Sequence, residues 1–345
     1  MSAARAGAAA QRPQDAADRR PASSPEDRLS VSVIIPNWNT REYLEPCIAA
    51  VRDETDIEIE LLVVDNGSSD ESVEFLAQSG VAHIALPENQ GFAKAVNLAA
   101  GRTTAPLVLV LNADVVLQAG CLKKLTAAIC EDTSLGGVQP KIVAGGGGAS
   151  PMAIYSAGQG LTVAASAFEI GKGEPDGPRY SCPREIFGVC GAVCLLRRQL
   201  FTELGGYDER FFAFYEDVDL NARARLAGWR FWYAPEAGAI HIGAAAWRKH
   251  RSPRAFNVRL TMQNRLLTSI KVLPARWLPW VVIATARTLL ASPFRHVGRA
   301  ALSGTLSVGQ WLPGLLRERR RLRSAGGSGL DPWLTRRRID PLGPR

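Results

Sequence analysis

Residues 31–143 alternate between short apolar runs and longer amphipathic segments. The apolar runs predict four strands, at 31–35 (VSVII), 59–64 (IELLVV), 82–86 (AHIAL) and 107–111 (LVLVL). Helices are predicted between and after them, near 41–52, 70–79, 91–101 and 119–130. Strands that alternate with helices build a sheet covered by helices on both faces. The sequence therefore predicts an α/β fold with a doubly wound, mostly parallel sheet.

Polar residues follow each predicted strand, where ligands bind in such sheets. The first strand is followed by PNWN, the second by DNGSSD, the third by PENQGFAKAVN and the fourth by NAD. The dinucleotide fingerprint GxGxxG is absent after the first strand, which argues against a nicotinamide enzyme. A glycine-rich phosphate loop is absent there as well, which argues against a sugar-phosphate nucleotidyltransferase.

The N-terminus and the cysteines point to an intracellular protein. Residues 1–30 are rich in Ala, Pro, Arg and Asp and contain no apolar core, so we expect a disordered tail rather than a signal peptide or an anchor. The six cysteines form no CxxC pair. This usage favours a cytosolic protein with reduced thiols and disfavours a zinc site.

The charge is divided unevenly along the chain. Residues 247–345 contain 20 Lys or Arg and 3 Asp or Glu, a net charge of +17, which leaves −9 for residues 1–246 of a chain with a total of +8. A basic region of this kind suits nucleic acid or an anionic membrane. Trp and Leu beside arginines at 277–290 and 309–323 favour the membrane surface, and neither segment is long enough to span it. The alternative is a set of amphipathic helices packed on the core, with a solvated basic end.

Two further segments lie between these regions. Residues 144–184 are rich in Gly and Pro, which predicts mobile loops, and a strand-like run at 187–196 then returns to the sheet. The sequence YEDVDLNARARLAGW places three carboxylates, Glu216, Asp217 and Asp219, at the start of a predicted helix. The helix dipole favours negative charge there. Asp219 is also placed to pair with Arg223 one turn later.

Six motifs in order resemble glycosyltransferase family 2, inverting enzymes with the GT-A fold: VSVIIPNWN, LLVVDNGSSD, ENQGFAKAVN, LNAD, GGYDERFFAFYEDVDLNAR and IHIG. The resemblance covers about residues 31–275. The later TMQNRLLTSIK and the arginine-rich ending look most like bacterial rhamnosyltransferases. The resemblance implies a GT-A domain at 31–246, with a nucleotide-binding half (31–117) and an acceptor and catalytic half (118–246). A basic, amphipathic helical region at 247–345 follows.

A nucleotide-sugar donor, as the resemblance implies, releases a diphosphate whose growing charge must be stabilised. Asp114, at a strand end, is the best candidate to hold Mg²⁺ or Mn²⁺ through oxygen, and the alternative is that it caps the next helix. His241 matches a position that adds a metal ligand in some relatives, although it could equally be a core histidine. The family motif is commonly Asp-x-Asp, and Asn112 takes its first place here, where its carbonyl could face the ribose or a metal-bound water.

The remaining site residues are carried over from the family motifs. Asp65 matches the aspartate that recognises the pyrimidine base, and its alternative is an Asx turn. Four more residues are expected to flank the base or approach the nucleotide and sugar: Pro36, Asn37, Asn89 and Gly91. Asp217 matches the base that takes the acceptor proton, with Glu216 orienting the acceptor. The alternative is that these carboxylates only cap their helix.

We therefore expect an inverting transferase that moves a sugar, most plausibly L-rhamnose from dTDP-rhamnose, onto a lipid-linked glycan acceptor for cell-surface polysaccharide synthesis. It would act in the cytoplasm at the inner face of the membrane and would not bind nucleic acid. Two alternatives remain open. One is a UDP-hexose or UDP-galactofuranose donor, and the other is a non-catalytic sugar-nucleotide-binding protein docked at the membrane.

Overall fold

The computed structural model describes residues 29–145, 153–242, 254–291, 297–324 and 329–336. The predicted N-terminal tail and the glycine-rich stretch at 146–152 therefore lie outside the described residues, apart from Leu29 and Ser30. The strands are β1 Ser30–Asn37, β2 Glu58–Asp65, β3 His83–Ala85, β4 Leu107–Leu111, β5 Val115–Leu117, β6 Leu135–Ala144, β7 Ile154–Ser156, β8 Gln159–Thr162, β9 Ala167–Glu169, β10 Arg184–Ile186, β11 Val193–Arg197, β12 Arg230–His241 and β13 Leu334–Thr335.

The helices are α1 Arg41–Arg52, α2 Ser72–Ser79, α3 Phe92–Ala100, α4 Cys121–Glu131, α5 Arg198–Glu203, α6 Glu216–Leu226, α7 Arg254–Val272, α8 Leu278–Ala291, α9 Gly298–Leu306 and α10 Leu312–Ser324. The four strands and four helices predicted for residues 31–143 are all present within about three residues of their expected bounds. The predicted α/β fold is confirmed.

The large sheet has the strand order β10-β12-β6-β11-β4-β1-β2-β3. The half of the sheet formed by β4, β1, β2 and β3 is parallel, because β1 pairs in parallel with β2 and β4, and β2 pairs in parallel with β3. Strand β11, which the sequence placed at 187–196, joins antiparallel between β4 and β6, and β12 runs parallel to β6. The short β5 pairs antiparallel with the end of β12, and Val115 of β5 lies opposite His241 of β12.

The period-2 pattern of β4 explains how this sheet is buried on both faces. Its three leucines point into one hydrophobic cluster and its two valines into the other. Helices α1, α2 and α4 cover the first face, and α3, α5 and α6 cover the second. In α1 the buried residues recur with the spacing of a helix face, at Leu44, Cys47, Ile48 and Val51. Because β4 is buried on both faces, it lies in the interior of the sheet, between β11 and β1. The loop that follows β4 and contains Asn112 and Asp114 is therefore also central.

The C-terminal region packs on residues 118–246 and shares hydrophobic clusters with them. Val272 and Val281 lie in one cluster with Phe187 and Val218, and Leu315 lies in another with Phe211. Strand β13 pairs with β8, which pairs with β9, so residues near the end of the described chain complete a small second sheet. Among the described helices, none is long and apolar enough to cross a membrane.

Candidate active site

An open cleft of about 790 Å³ lies beyond the carboxyl ends of β1 and β4 and beside the first turn of α6. This volume lies within the usual range for small-molecule sites. Eight of the ten predicted site residues line it: Pro36, Asn37, Asn89, Asn112, Asp114, Glu216, Asp217 and His241. Asp65 and Gly91 do not line the cleft and lie behind its wall. The fold thus brings together residues that are up to 205 positions apart in the sequence.

Asp65 supports the wall of the cleft from behind. It is fully buried, its Oδ2 accepts a hydrogen bond from Asn37 Nδ2 at 2.7 Å, and its Oδ1 accepts one from the Ser68 amide at 2.9 Å. The latter bond spans three residues, so it is a local bond to the backbone but not the Asx turn considered as an alternative. Asn37 is itself 1% exposed, and its Oδ1 accepts the Thr40 hydroxyl. Asp65 therefore fixes the end of β1, and direct contact with a base stays a prediction.

A second asparagine network shapes the loop before α3. Asn66 Nδ2 donates to Asn89 Oδ1 at 3.0 Å and to the Gly91 carbonyl at 3.1 Å. Gly91 has a φ of +90°, and a Cβ there would lie 2.6 Å from the Phe212 carbonyl oxygen. Only glycine fits this conformation and this contact. Gly91 therefore serves the close approach of two chain segments, and its predicted contact with the donor is untested.

Asp114 and His241 meet where β5 pairs with the end of β12. Asp114 Oδ1 and His241 Nε2 are 3.1 Å apart, and both residues are more than 90% buried. Asp114 does not cap α4, which begins seven residues later with Gly120 at its N-cap. Asn112, two residues before Asp114, keeps a buried Oδ1 without a hydrogen-bond partner in the described structure. Asn112, Asp114 and His241 all line the cleft and together form a polar corner.

The Asp114 and His241 pair fits a divalent cation. The two atoms form a direct hydrogen bond at 3.1 Å, and the same separation would suit two ligands bound about 2.1 Å from one ion at right angles. His241 Nδ1 is also buried without a hydrogen-bond partner in the described part of the chain. Within the described residues, no group of three or more His, Cys, Asp or Glu could hold a metal alone. Further ligands would have to come from a bound diphosphate or from water.

The first turn of α6 follows an unusual backbone turn. Phe214 and Tyr215 have φ values of +69° and +70°, a left-handed conformation that costs bulky residues energy. Asn264 on α7 stabilises this turn, because its Nδ2 donates to the carbonyls of Ala213 at 2.9 Å and Phe214 at 2.8 Å. The turn aims Glu216 and Asp217 into the cleft. Asn264 lies in the TMQNRLLTSIK stretch, and no pattern in the sequence indicated its contact.

Asp217 is held in place by three hydrogen bonds. Its Oδ2 accepts from Gln159 Nε2 and from the Gly191 amide, each at 2.9 Å, and its Oδ1 accepts from the Val218 amide at 2.7 Å. Burial nevertheless raises its pKa above the usual aspartate value. Burial and the charge of Asp217 also raise the pKa of Glu216 to about 8. The sequence suggested that the helix dipole favours the charged form of these carboxylates. Burial acts in the opposite direction and raises the pKa of both.

Asp219 has a structural role. It is fully buried and bonded to Arg223 Nε at 2.7 Å, which confirms the predicted pair one turn apart. Lys271 on α7 joins this pair at 2.8 Å and also contacts Asp208 at 2.6 Å. Although burial opposes it, hydrogen bonds and charge from Arg210 and Lys271 lower the pKa of Asp208 below its usual range. This ion cluster anchors α6 to the C-terminal region.

The sequence reasoning missed Gln159 and Glu169, which also line the cleft. Burial and the charge of Asp217 raise the pKa of Glu169 to about 7. Both residues lie in the segment rich in Gly and Pro that was interpreted as mobile loops. The only available signal was the alternation of residues around β8 and β9, which is too short to distinguish from a loop.

The family model described as Glycosyl transferase family 2 matches residues 32–205, half of the chain. An N-acetylglucosaminyl-diphospho-decaprenol L-rhamnosyltransferase from Mycobacterium tuberculosis is 28% identical over 235 residues, covering 61% of this chain and 75% of that protein. The glycosyltransferase GlyG from Streptococcus pneumoniae is 27% identical over 106 residues, which cover 29% of this chain and 35% of that protein.

Among solved structures, GalNAc-T7 with UDP, GalNAc and Mn²⁺ superposes with a TM-score of 0.61 at 16% identity. The match covers 85% of this chain and 58% of that chain. At this identity the likeness concerns the fold, and it confirms the predicted GT-A architecture.

Proposed function

The chain belongs to glycosyltransferase family 2, and on this basis we propose that it transfers L-rhamnose from dTDP-rhamnose, with inversion, to a lipid-linked glycan acceptor in cell-surface polysaccharide synthesis. The sugar and the acceptor class are supported by the mycobacterial relative, whose name specifies L-rhamnose and a diphospho-decaprenol-linked N-acetylglucosamine. The thymidine nucleotide follows from the resemblance to rhamnosyltransferases. The proposal extends these features to the present chain.

The observation that carries the proposal is the meeting of two chemically different groups in one cleft. Asp114, His241 and the unpaired Asn112 oxygen form a corner suited to a diphosphate and its cation. Glu216 and Asp217 lie in the same cleft, at the start of α6. A transferase needs both, because the leaving group and the attacking hydroxyl must be activated at the same time.

In an inverting transfer the acceptor hydroxyl oxygen bonds to the anomeric carbon as the bond from that carbon to the diphosphate oxygen breaks. The hydroxyl proton must pass to a base. Asp217 is the base that we propose, because its three hydrogen bonds hold the carboxylate still while burial makes it more basic than an ordinary aspartate. Glu216, protonated near neutral pH, would donate a hydrogen bond to the acceptor instead.

Asp114 and His241 would hold the Mg²⁺ or Mn²⁺ ion, and Asn112 would face the ribose or a water molecule on the ion. When bound, the cation stabilises the negative charge of the departing diphosphate. Pro36 and Asn37 would form the base-binding wall, and Asp65, bonded to Asn37, would support it from behind. Asn89 and Gly91 would shape the loop beside the nucleotide and sugar.

A donor screen tests this proposal. Purified protein is incubated with a diphosphate-linked N-acetylglucosamine acceptor on a short lipid and with dTDP-rhamnose, UDP-galactofuranose or a UDP-hexose, with Mg²⁺, Mn²⁺ or excess chelator. We expect a product only with dTDP-rhamnose, and only with a cation. Asp114→Ala should abolish the cation dependence and His241→Ala should weaken it. Transfer from another donor instead would show that the transferred sugar is not rhamnose. No transfer from any donor would favour a non-catalytic sugar-nucleotide-binding protein.

We further propose that the protein acts at the inner face of the membrane through its C-terminal helices. Eight of the nine large apolar side chains exposed in the described structure lie on α8, α9 and α10: Trp280, Val282, Ile283, Leu290, Leu302, Leu306, Leu312 and Leu316. The same helices carry the exposed arginines Arg287, Arg299, Arg317 and Arg320. Apolar side chains beside arginines suit an interface with anionic lipid. Binding to nucleic acid would leave these apolar side chains without a partner, so the surface favours a membrane over nucleic acid.

Vesicle sedimentation tests the membrane proposal. The test uses one double variant, Val282→Glu with Leu290→Glu. These residues are 66% and 74% exposed, so folding should be unaffected. We expect full-length protein to sediment with anionic vesicles at low salt, and this variant and high salt to reduce the bound fraction. Leu29→Glu is the control, because Leu29 is 44% exposed outside these helices. Equal binding by all three proteins would contradict the proposed surface.

A further inference from the structure

A closed ring of buried hydrogen bonds surrounds Asp217. Gln159 Nε2 donates to Asp217 at 2.9 Å and to Glu169 Oε1 at 3.4 Å. The Ser156 hydroxyl donates to Glu169 Oε2 at 2.6 Å, and Gln139 Nε2 donates to Ser156 at 2.9 Å. Gln139 Oε1 accepts the Cys190 amide at 2.7 Å, and the next residue, Gly191, returns to Asp217. Gln139, Ser156 and Gln159 are all at least 98% buried.

Two backbone groups fix the direction of every bond in this ring. Because the Cys190 amide can only donate, Gln139 must present its oxygen there and its NH₂ to Ser156. Because the Val189 carbonyl can only accept, Asn221 must present its NH₂ to it and to Gln159 Oε1, at 2.8 and 2.9 Å. Gln159 therefore turns its NH₂ toward the two carboxylates. The Gln159 NH₂ and the Ser156 hydroxyl hydrogen therefore both point at Glu169 or Asp217.

This arrangement places two half-buried carboxylates on one amide at the wall of the cleft. Like charges so close oppose each other's ionisation. Burial and the charge of Asp217 raise the pKa of Glu169 to about 7, and hydrogen bonds from Ser156 and Gln159 and the charge of Lys172 oppose that rise. The other titratable groups that face the pair are Glu216 on α6, Cys190 and Cys194 around β11, Tyr155 on β7, and Tyr207.

We infer that Glu169 is a positioning residue that acts on Asp217 through Gln159 and through its own negative charge. It orients Gln159, which orients the Asp217 carboxylate. Once Glu169 ionises near pH 7, its negative charge also makes the Asp217 carboxylate a stronger base. This inference rests on the proposed function, in which Asp217 is the base.

Glu169→Gln tests the inference, because glutamine keeps the size and can still accept the Ser156 hydrogen bond. Glu169 is still protonated where Asp217 titrates, so the acid limb of kcat/KM against pH should stay in place. The variant should instead lose the further rise in kcat/KM that ionisation of Glu169 near pH 7 produces in wild type, and its rate above that pH should fall, but by less than in Asp217→Asn. The control is Glu174→Gln, which changes another cleft glutamate, bonded to Tyr180 and Arg179 instead, and should keep that rise.

Ser156→Ala provides an independent variant. It removes the hydroxyl that donates to Glu169, so Glu169 stays protonated to higher pH and the rise in kcat/KM should move to higher pH. A wild-type pH profile in both folded variants, while Asp217→Asn abolishes transfer, would overturn the role of Glu169 alone. Transfer that survives Asp217→Asn would overturn the proposed base instead.

Discussion

At the residue scale, burial rather than helix position sets the protonation of the carboxylates in the cleft. Glu216 is 7% exposed, and burial with the charge of Asp217 raises its pKa to about 8. A carboxyl whose pKa rises on folding binds its proton more tightly in the folded state. Stability therefore falls as pH rises from the ordinary value of 4.5 to about 8.

Glu216→Gln should remove this cost, because glutamine resembles the protonated form. We expect the variant to be more stable than wild type by roughly 1–3 kcal/mol at pH 8, and nearly equal to it at pH 5. Thermal melts at the two pH values measure the difference. Glu131→Gln, at an exposed position on α4, is the control and should show no such pH dependence. A Glu216→Gln protein that is destabilised equally at both pH values would contradict the buried protonated state.

Single residues were predictable from the sequence where the interaction is local. The Asp219 and Arg223 pair follows from a spacing of four on a helix, and the structure has it at 2.7 Å. Lys271, the third member of that cluster, comes from a helix 52 residues away in sequence, and no local pattern encodes its position. Glu169 was missed for a similar reason: it bonds Ser156 and Gln159 across short strands, and the Asp217 charge that acts on it comes from a distant helix.

At the element scale, the strained turn before α6 depends on a helix from another region. Asn264→Asp keeps the size but places a carboxylate against the carbonyls of Ala213 and Phe214. We expect a loss of about 1–3 kcal/mol in stability and a fall in kcat, with donor affinity nearly unchanged, because only the acceptor side of the cleft moves. Denaturant unfolding and steady-state kinetics measure both.

Ser269→Asp is the matched control on the same helix. The Ser269 side chain is buried and donates to the Arg265 carbonyl at 2.6 Å, so this variant also places a carboxylate against a backbone carbonyl. This variant tests whether any new buried charge on α7 has the same effect. If it lowers kcat as much as Asn264→Asp does, the turn is not specifically supported by Asn264.

The main strands and helices were predictable because their periodicity is strong over enough residues. Strand β4 is apolar throughout and α1 shows a clear helix face, so both have their expected bounds. The pairing of β5 with β12, which brings Asp114 to His241, joins residues 127 positions apart. The family resemblance named both residues, but the contact itself depends on tertiary packing that local patterns do not record.

At the scale of the whole molecule, a buried ion cluster connects the catalytic helix to the C-terminal region. Lys271, 2% exposed, contacts Asp208 and Asp219, and Arg210 links Asp208 to Glu318 on α10. Lys271→Met would leave the two aspartates without this cation in the interior. We expect a loss of roughly 3–5 kcal/mol in the free energy of unfolding, measured in denaturant.

Lys123→Met gives the comparison for this prediction. Lys123 pairs with Asp56 at 2.8 Å, but both side chains are about 60% exposed. Exposed pairs contribute about 1 kcal/mol or less. Similar losses in the two variants would show that the buried cluster does not join the two parts of the molecule.

The central claim is that Asp217 takes the acceptor proton, and Asp217→Asn tests it most directly. Asparagine caps a helix about as well as aspartate and keeps an oxygen for hydrogen bonding, but it cannot act as the base. Donor binding by calorimetry and product formation should be measured on the same preparation. We predict donor affinity close to wild type and transfer reduced on the order of 10²- to 10⁴-fold. Transfer at a near wild-type rate would contradict the account and would direct the search for the base to Glu216 or Glu169.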